Sequence, residues 1–302
     1  MAVRENHVAI NGTKRILSGL VLATAIFLHH NARAQEVDLG TANSFAVLSY
    51  SGLSVAGAVD TSTINGGIEN NGNIGSYPTA STGLENLVIN NGINQAGDAN
   101  TQNAQAALTA AYSHAAGLAL TPATSGNDYT TFNGGNLGGL TLTPGVYYFS
   151  SSAQITSGQL TLNDEGNPDA VFVFKIGSTL TTASDSSVKT INDPDADAVP
   201  GVSVFWQVGS SATLGAGSTL EGNILANQSI TLGTTVTVDG RLLAEGAAVT
   251  LDGSDTINVP LAEVQGSGSP GSSAPDTGST LLLLGSALAA LIAFERRFSA
   301  LA

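Results

Sequence analysis

A short motif recurs three times in the second half of the chain, at a spacing that suits successive turns of a β-solenoid. Its copies begin at Thr213, Thr231 and Thr250, so the steps between them are 18 and 19 residues. Each copy joins a short run of β-type residues to small residues that suit a corner. A period of about 20 residues with this composition predicts stacked coils of short parallel strands, and therefore a mainly β fold.

Alternation along each short strand separates core side chains from surface side chains. Ile230 and Leu232 should face inward while Thr231 faces outward. Stacking the coils then aligns outward side chains in files. The first file is Thr181, Thr213, Thr231 and Thr250, the second is Ser187, Thr219, Thr237 and Thr256, and a middle file consists of Ser184, Ala216, Thr234 and Gly253.

These files would present methyl and hydroxyl groups on a regular grid. Neighbouring coils lie ~4.8 Å apart, and outward residues of one strand lie ~6.7 Å apart. Threonine has a stiff χ1, so such a grid is rigid and able to order water in an ice-like pattern. Threonine is also a good strand former, and threonine ladders stabilise stacked strands. The pattern alone therefore leaves open an ice-binding face, a carbohydrate-binding or adhesive surface, and a structural ladder.

Residues 97–117 follow a helical rather than a β pattern. Apolar or small residues recur three and four positions apart, at Ala104, Ala107, Leu108, Ala111, Tyr112 and Ala115. Asp98 suits the N-cap of a helix and Gly117 suits its end. The pattern predicts one long amphipathic helix that lies against the solenoid and covers one of its faces.

The charge distribution restricts the expected partners. The chain has a formal net charge of −14, and residues 35–264 contain only three basic residues, Lys175, Lys189 and Arg241. This balance argues against nucleic acid and against an anionic membrane as a partner. A surface rich in hydroxyl groups and poor in charge suits a neutral ligand, such as a sugar or solid water.

Groups for catalysis or metal binding are few in this chain. There is no cysteine, and the one histidine of the body, His114, lies within the predicted helix, which excludes a His/Cys metal site and disfavours a Ser-His-Asp triad. Asp193, Asp195 and Asp197 alternate in an acidic loop and form a candidate Ca²⁺ site, but the loop lacks the glycine and distal glutamate of an EF-hand. We expect a solvated loop, no cofactor and no enzymatic activity.

The N-terminal segment has the features of a secretory signal peptide. Basic residues precede the apolar run 16–28, and the small-residue site Ala32-Arg33-Ala34 follows it. Residues 1–34 are therefore predicted to be removed on export, since the run is too short to span a bilayer. The folded domain is expected at 35–264.

The C-terminal segment has the three parts of a sorting signal. A Gly/Ser linker at 265–274 leads to a signal at 275–302, in which the apolar segment 281–294 precedes a basic end. A transmembrane helix is the alternative, but the apolar segment is short for one. Pro275-Asp276-Thr277-Gly278 resembles the Pro-Asp-Ser-Gly motif of exosortase-type signals. This resemblance implies that a membrane sorting protease handles the segment and that the protein is secreted or anchored at the cell surface.

Several strings of the body resemble the bacterial and fungal ice-binding proteins that have a discontinuous β-solenoid. They lie at 37–48, 140–147, 170–182, 204–215, 222–232 and 246–253. The resemblance covers nearly the whole body and implies a right-handed β-helix of triangular section with one long α-helix packed alongside. It also implies that N-terminal segments stack beyond the C-terminal coils.

The same resemblance implies that the partner is an ice crystal surface, to which the protein adsorbs through one flat face. We expect the protein to be a monomer. Family members have a Thr-Ala/Gly-x-Thr/Asn pattern at the coil edges, which residues 234–237 match with both threonines and residues 216–219 with only the last. The residues of the three files other than Gly253 are thus candidate ice-binding residues, and Thr219, Thr234 and Thr237 are the first candidates for ice contact. The alternative is an adhesin or matrix protein that binds neutral polysaccharide, for which Tyr147, Tyr148 and Trp206 would be the aromatic platforms.

Overall fold

The computed structural model describes residues 36–259, except 57–60, 68–70, 122–123, 125, 168 and 194–203. In this part of the chain, short parallel strands form three sheets, and a long helix lies against one of them. This confirms the mainly β solenoid with one long helix. The predicted signal peptide, linker and sorting signal lie outside the described residues.

The strands of the three sheets are given in spatial order, with numbers that follow the chain. Sheet A consists of β4 (Asn73–Ser76), β1 (Phe45–Ser49), β19 (Leu242–Ala244), β16 (Asn223–Ala226), β13 (Val204–Val208), β10 (Phe172–Ile176) and β7 (Gly145–Phe149). Sheet B consists of β2 (Leu53–Val55), β20 (Val249–Leu251), β17 (Ile230–Leu232), β14 (Ala212–Leu214), β11 (Leu180–Thr182) and β8 (Ala153–Ile155). Sheet C consists of β5 (Leu87–Asn90), β3 (Ser62–Asn65), β21 (Thr256–Asn258), β18 (Thr237–Asp239), β15 (Thr219–Glu221), β12 (Ser187–Ile191), β9 (Gln159–Asn163) and β6 (Thr141–Leu142). The helices are a 3-10 helix (Gly40–Ser44), α1 (Ala99–Gly117) and the short α2 (Tyr129–Phe132).

The coils do not stack in chain order. Strands β19, β20 and β21 form the last coil along the chain, yet β1, β2 and β3 pair with them in parallel and continue the stack. The N-terminal segment therefore extends the solenoid beyond its C-terminal coil. This is the discontinuity that the family resemblance implies.

A buried arginine ties the N-terminal segment to the later coils. The guanidinium of Arg241 donates through Nε and Nη2 to the carbonyl oxygen of Asn43, at 3.2 and 3.0 Å, and through Nη1 to Oδ1 of Asn223, at 3.1 Å. Burial lowers the pKa of Arg241 to about 10. Because both oxygen partners sit at the junction, the side chain fixes β1 beside β19.

The core lies inside the three sheets. Ile230 and Leu232 are fully buried while Thr231 is exposed, as the alternation predicts. Aromatic rings also stack along the interior, with the centroids of Phe174 and Trp206 4.0 Å apart and nearly parallel. In-register stacking brings equivalent residues together, so β10 and β13 pair over their full length.

Helix α1 covers the outer face of sheet A. Its N-cap is Asp98, whose Oδ1 accepts a hydrogen bond from the backbone N–H of Thr101 at 2.9 Å. The buried stripe of the helix packs on outward side chains of sheet A; the cluster includes Ala104, Leu108, Ala111, Ala115, Val173, Phe205, Leu225 and Leu243. Sheet A is thus apolar on both faces, and sheets B and C present their outer faces to solvent. Among the described residues, no helix has the length and apolar character needed to cross a membrane.

Candidate functional site

The outer face of sheet B has a continuous row of hydroxyl side chains along its middle. Thr181 pairs with Thr213, Thr213 with Thr231, and Thr231 with Thr250. Each side chain lies between two inward neighbours of its own strand, and the first three are exposed while Thr250 is half-buried. The structure therefore brings the first predicted file together in one straight row.

The sheet B row is longer than the sequence repeats indicate. Gln154 of β8 pairs with Thr181 at one end, and Ser54 of β2 pairs with Thr250 at the other. The hydroxyl of Ser54 donates to Oγ1 of Thr250 at 3.5 Å. These two residues lie outside the repeated motif, so only the strand register identifies them.

A second set of hydroxyl groups borders this row on the side of sheet A. The hydroxyls of Ser152 and Thr179 lie 2.8 Å apart, and the hydroxyl of Ser229 donates to that of Ser211 at 3.0 Å. Hydrogen bonds between adjacent coils restrict the rotamers of these side chains. The outer face of sheet B thus displays hydroxyl groups in fixed positions over several coils.

The middle file lies at the corner between sheets B and C. Backbone hydrogen bonds keep it in register: Asp185 donates to the carbonyl oxygen of Ala216 at 2.9 Å, and Gly217 donates to that of Thr234 at 2.9 Å. Ser184 and Thr234 are exposed, whereas Gly253 is buried. The residue that follows the file in each coil has a positive φ, namely Asp185 (56°), Gly217 (70°), Thr235 (61°) and Ser254 (53°).

A buried carboxylate holds this corner from inside. Asp255 accepts hydrogen bonds from the backbone N–H of Val236 at 2.8 Å and of Asp252 at 3.0 Å, and its own N–H donates to Oγ of Ser62 at 3.2 Å. Burial raises the pKa of Asp255 to about 6. The side chain thus links two successive coils beneath the exposed corner residues, and the backbone N–H of the same residue links them to a third.

The second predicted file lies on sheet C. Ser187 pairs with Thr219, Thr219 with Thr237, and Thr237 with Thr256, and all four side chains are half-buried. Thr63 of β3 extends this row, because it pairs with Thr256. The predicted files are therefore each well aligned, but they lie on two different sheets and on the corner that joins them.

The row beside these sheet C residues contains charged and amide groups. It includes exposed Lys189, buried Glu221 and half-buried Asp239. Asn258 donates to Oδ1 of Asp239 at 2.7 Å, and Asn65 donates to Oδ1 of Asn258 at 2.9 Å. On sheet B the residues of the central row are all uncharged, and exposed Asp185 and Asp252 lie at its margin, at the corner toward sheet C.

The acidic groups near sheet C do not form a metal centre among the described residues. Asp193 lies within the described part of the chain, whereas Asp195 and Asp197 lie outside it, and no group of three potential metal ligands occurs among the residues that the structure describes. Burial raises the pKa of Asp164 to about 7, and the negative charges of Asp193 and Glu221 add to the effect. Glu221 accepts hydrogen bonds from both N–H and Oγ1 of Thr190.

The aromatic residues considered for sugar binding are mostly internal. Tyr147 and Trp206 are buried, and Trp206 donates from its indole N–H to the carbonyl oxygen of Glu221 at 3.0 Å. Tyr148 is 38% exposed and lies on sheet A, near one end of the stack. No aromatic platform lies on the rows of sheet B described above, so this geometry does not favour a polysaccharide site there.

Comparison with known proteins points to a single family. A family model described as Ice-binding-like matches residues 47–258. The chain is 41% identical to an ice-binding protein of Nostoc sp. (strain HG1), over 92% of this chain and 95% of that protein. It is also 34% identical to an ice-binding protein of Colwellia sp, over 83% of this chain and 95% of that one.

Solved structures agree with this comparison. An ice-binding protein from an Antarctic biological consortium has a TM-score of 0.64 and 34% identity, covering 75% of this chain and 92% of that chain. An ice-binding protein from the ascomycete Antarctomyces psychrotrophicus has a TM-score of 0.62 and 36% identity, covering 75% of this chain and 99% of that chain. The C-terminal region matches a sorting motif, VPDSG-CTERM, at residues 275–298.

Proposed function

Because the chain belongs to the Ice-binding-like family, we propose that it is an exported, monomeric ice-binding protein that adsorbs to ice through sheet B. The observation that supports this face most directly is the in-register, uncharged row formed by Thr181, Thr213, Thr231 and Thr250. The protein acts by adsorption, which requires no catalytic group and no cofactor. Its effect is to inhibit the growth or recrystallisation of ice, or to attach the cell to ice.

The chemistry of the row suits solid water. Threonines of adjacent coils repeat at ~4.8 Å, and each presents a methyl and a hydroxyl group on a restricted χ1. The methyl group favours cage-like water and the hydroxyl group anchors that water by a hydrogen bond. Since the face is rigid before contact, ordering the shared water layer costs little additional conformational entropy.

Sheet C fits the same role less well because of its charges. Lys189, Glu221 and Asp239 lie beside its threonine row. A charged group loses favourable hydration when its water is incorporated into a rigid, neutral lattice. We therefore assign the sheet C residues Ser187, Thr219, Thr237 and Thr256 a secondary part in ice contact.

The corner file forms the margin of the proposed contact surface. Thr234 and Ser184 are exposed beside the sheet B row, and Ala216 between them is small enough to leave the surface smooth. Ice contact thus extends from the sheet B row to the corner. The other margin consists of the hydrogen-bonded hydroxyls of Ser211 and Ser229.

The C-terminal motif supports export of this protein. A sorting motif at residues 275–298 implies that the segment is processed after transport across a membrane. Processing by a membrane sorting protease, followed by secretion or retention at the cell surface, completes the proposal. Ice outside the cell is then the physical partner of sheet B.

The test uses residues 35–264 on a single ice crystal. This segment is suitable for two reasons. Its described part has a closed core. In addition, the part of this chain that matches the solved ice-binding protein from Antarctomyces psychrotrophicus covers 99% of that chain. We expect faceting and a gap between melting and freezing temperatures, the thermal hysteresis. A round, freely growing crystal in the presence of folded protein would contradict ice binding.

Two matched variants locate the face. Thr231→Tyr and Thr237→Tyr place the same bulky side chain at central positions of sheets B and C. We expect the first to abolish hysteresis and the second to lower it only partly, with both melting temperatures near that of the parent protein. Loss of hysteresis in Thr237→Tyr but not in Thr231→Tyr would transfer the contact to sheet C.

A further inference from the structure

One row on sheet B offers the same free group in each of three successive coils. Thr181, Thr213 and Thr231 follow one another in register on adjacent strands. In the described part of the chain, none of their hydroxyls has a hydrogen-bond partner. Each hydroxyl is therefore able to donate to one water and to accept from others. Because adjacent coils lie ~4.8 Å apart, the row provides one water anchor at each such step.

The column on the sheet A side of this row repeats differently. It consists of the outward residues two positions before the row, namely Ser152, Thr179, Ser211 and Ser229. The hydroxyls of Ser152 and Thr179 lie 2.8 Å apart, and the hydroxyl of Ser229 donates to that of Ser211 at 3.0 Å. Each pair thus uses one hydroxyl proton internally. Since the bonds join alternate neighbours, the column repeats only at every second coil.

The side toward sheet C also lacks a hydroxyl in each coil. The positions directly beside the row have small residues, Ala183, Gly215 and Gly233. A Cβ on Gly215 would lie 2.5 Å from the carbonyl carbon of Ala183, so the close approach of the coils leaves no room for a side chain there. In the corner file beyond, Ala216 separates the hydroxyls of Ser184 and Thr234. Neither flank therefore repeats coil by coil.

From this pattern we propose that sheet B matches ice in one direction only, along the axis of the stack. The protein then binds each ice plane that contains the shortest lattice translation of hexagonal ice, which is close in length to the coil spacing. This translation lies in the basal plane, in the primary prism planes and in the pyramidal planes between them, but not in the secondary prism planes. The inference rests on the proposed function and adds to it the set of crystal planes that are recognised.

The flanks explain why several planes are accepted. Planes that share this translation differ in the spacing of their water molecules across it. A second regular repeat across the row would therefore select one plane and reject the others. Because the hydroxyls on both flanks recur only in alternate coils, sheet B has no such repeat. The stiff χ1 of the row threonines fixes the spacing along the stack and leaves the crossing direction unspecified.

Labelling of a single ice crystal tests this inference. The chain contains no cysteine, so Ser113→Cys in residues 35–264 gives one site for a fluorescent dye. Ser113 is exposed on α1, which covers sheet A, and the dye therefore lies away from sheet B. A hemisphere is grown from an oriented single crystal in a dilute solution of the labelled protein. We expect fluorescence on the basal, primary prism and intervening pyramidal planes, and none on the secondary prism planes.

The other outcomes separate this inference from the proposed function. Fluorescence on the secondary prism planes, over the whole surface, or on a single kind of plane would overturn the match in one direction while leaving ice binding intact. An unlabelled hemisphere, together with round crystals in the hysteresis measurement, would mean that ice binding itself fails and that the plane selection falls with it.

Two matched variants show which column selects the planes. Thr179→Ala and Thr181→Ala make the same change in one coil, the first in the paired column and the second in the row. We expect Thr179→Ala to leave the set of labelled planes unchanged and Thr181→Ala to weaken labelling on all of them together. A changed set of planes in Thr179→Ala would show that the flanking column takes part in recognition and that the proposal is wrong. Thermal unfolding confirms that both proteins are folded.

Discussion

Sheets B and C are built by the same repeat, yet their outer faces differ in charge. Both carry in-register threonines from adjacent coils, for example Thr213 and Thr231 on sheet B and Thr219 and Thr237 on sheet C. Beside the sheet C row, however, lie Lys189 and other charged side chains. The comparison teaches that a threonine ladder alone does not define an ice-binding face, because stacking also favours such ladders. The neighbouring row decides what the face is able to contact.

The largest effect is expected when a charge is placed in the sheet B row. Thr213→Asp puts a carboxylate between Thr181 and Thr231, where its hydration opposes incorporation of the water layer into ice. We expect near-complete loss of hysteresis, while the free energy of unfolding changes by about 1 kcal/mol or less, as for most surface substitutions. The measurements are hysteresis on a single crystal and thermal unfolding.

Thr213→Ser serves as the control for this substitution. It keeps the hydroxyl group but removes the methyl group, so part of the hysteresis should remain. Full activity in a folded Thr213→Asp protein would mean that ice does not contact the centre of sheet B.

A pair of glutamines in one coil provides a gentler comparison. Gln154 lies in the sheet B row and Gln159 in the sheet C row, and the amide of each donates one hydrogen bond, to Gly134 at 3.2 Å and to Thr161 at 3.1 Å respectively. Gln154→Glu and Gln159→Glu add the same charge with nearly the same shape. We expect a larger loss of hysteresis in the first than in the second, since the sheet C row has only a secondary part in the proposed ice contact.

Because both glutamines are in the same coil, a difference between the two variants reports the face and not the coil. Equal losses of hysteresis would show that both faces take part in ice contact. Circular dichroism and thermal unfolding should confirm that the two proteins are equally folded.

Folding stability and ice binding should also differ in how they depend on pH. The folded-state pKa of Asp255 is about 6 against an ordinary value of 3.8, so folding favours its protonated form. Its contribution to stability is thus fully present below pH 3.8 and is lost as the pH rises through about 6. Asp164, at the end of sheet C, should show the same sign, with a contribution that is present below pH 3.8 and is lost as the pH rises through about 7.

The matched measurement is the melting temperature of Asp255→Asn relative to the parent protein. The difference should shift in favour of the variant as the pH rises through about 6. Hysteresis should stay constant over the same range, because the side chains of the sheet B row do not titrate there. A hysteresis that follows the titration would place ionisable groups within the ice contact.

The repeats predicted the rows well because Thr213, Thr231 and Thr250 lie in coils that share one motif. They did not predict Gln154 or Ser54, since these coils differ in sequence and since the docking of β2 on β20 is a long-range contact with no local pattern. Register in an out-of-order coil is determined by tertiary packing, which a periodic motif does not encode.

The sequence pattern also did not predict that the files lie on two different sheets. It depends on a tight corner at which Asp185, Gly217, Thr235 and Ser254 have a positive φ. A β-branched residue such as Thr235 is unfavourable in that region, so local propensity argues against a corner there. The buried carboxylate of Asp255 stabilises it instead, by accepting hydrogen bonds from the backbone of Val236 and Asp252.

The smallest effects are expected from the amide ladder of sheet C. Asn258 donates to Asp239 and accepts from Asn65, whereas Asn90 only donates to Asn65, at 2.9 Å. Asn258→Ala removes two partly buried hydrogen bonds and should lower the free energy of unfolding by about 1–2 kcal/mol, while Asn90→Ala should lower it by about 0.5 kcal/mol. Urea unfolding measures both changes.

Hysteresis should be unaffected in both variants, because the ladder serves the stacking of sheet C and lies away from the sheet B row. A folded Asn258→Ala protein that has lost hysteresis would instead indicate that the amide row contacts ice. Sheets B and C would then both contact ice. Asp239, which accepts a hydrogen bond from Asn258 at the end of the amide row, would belong to the contact surface. The absence of charge would therefore no longer distinguish sheet B as the ice-binding face.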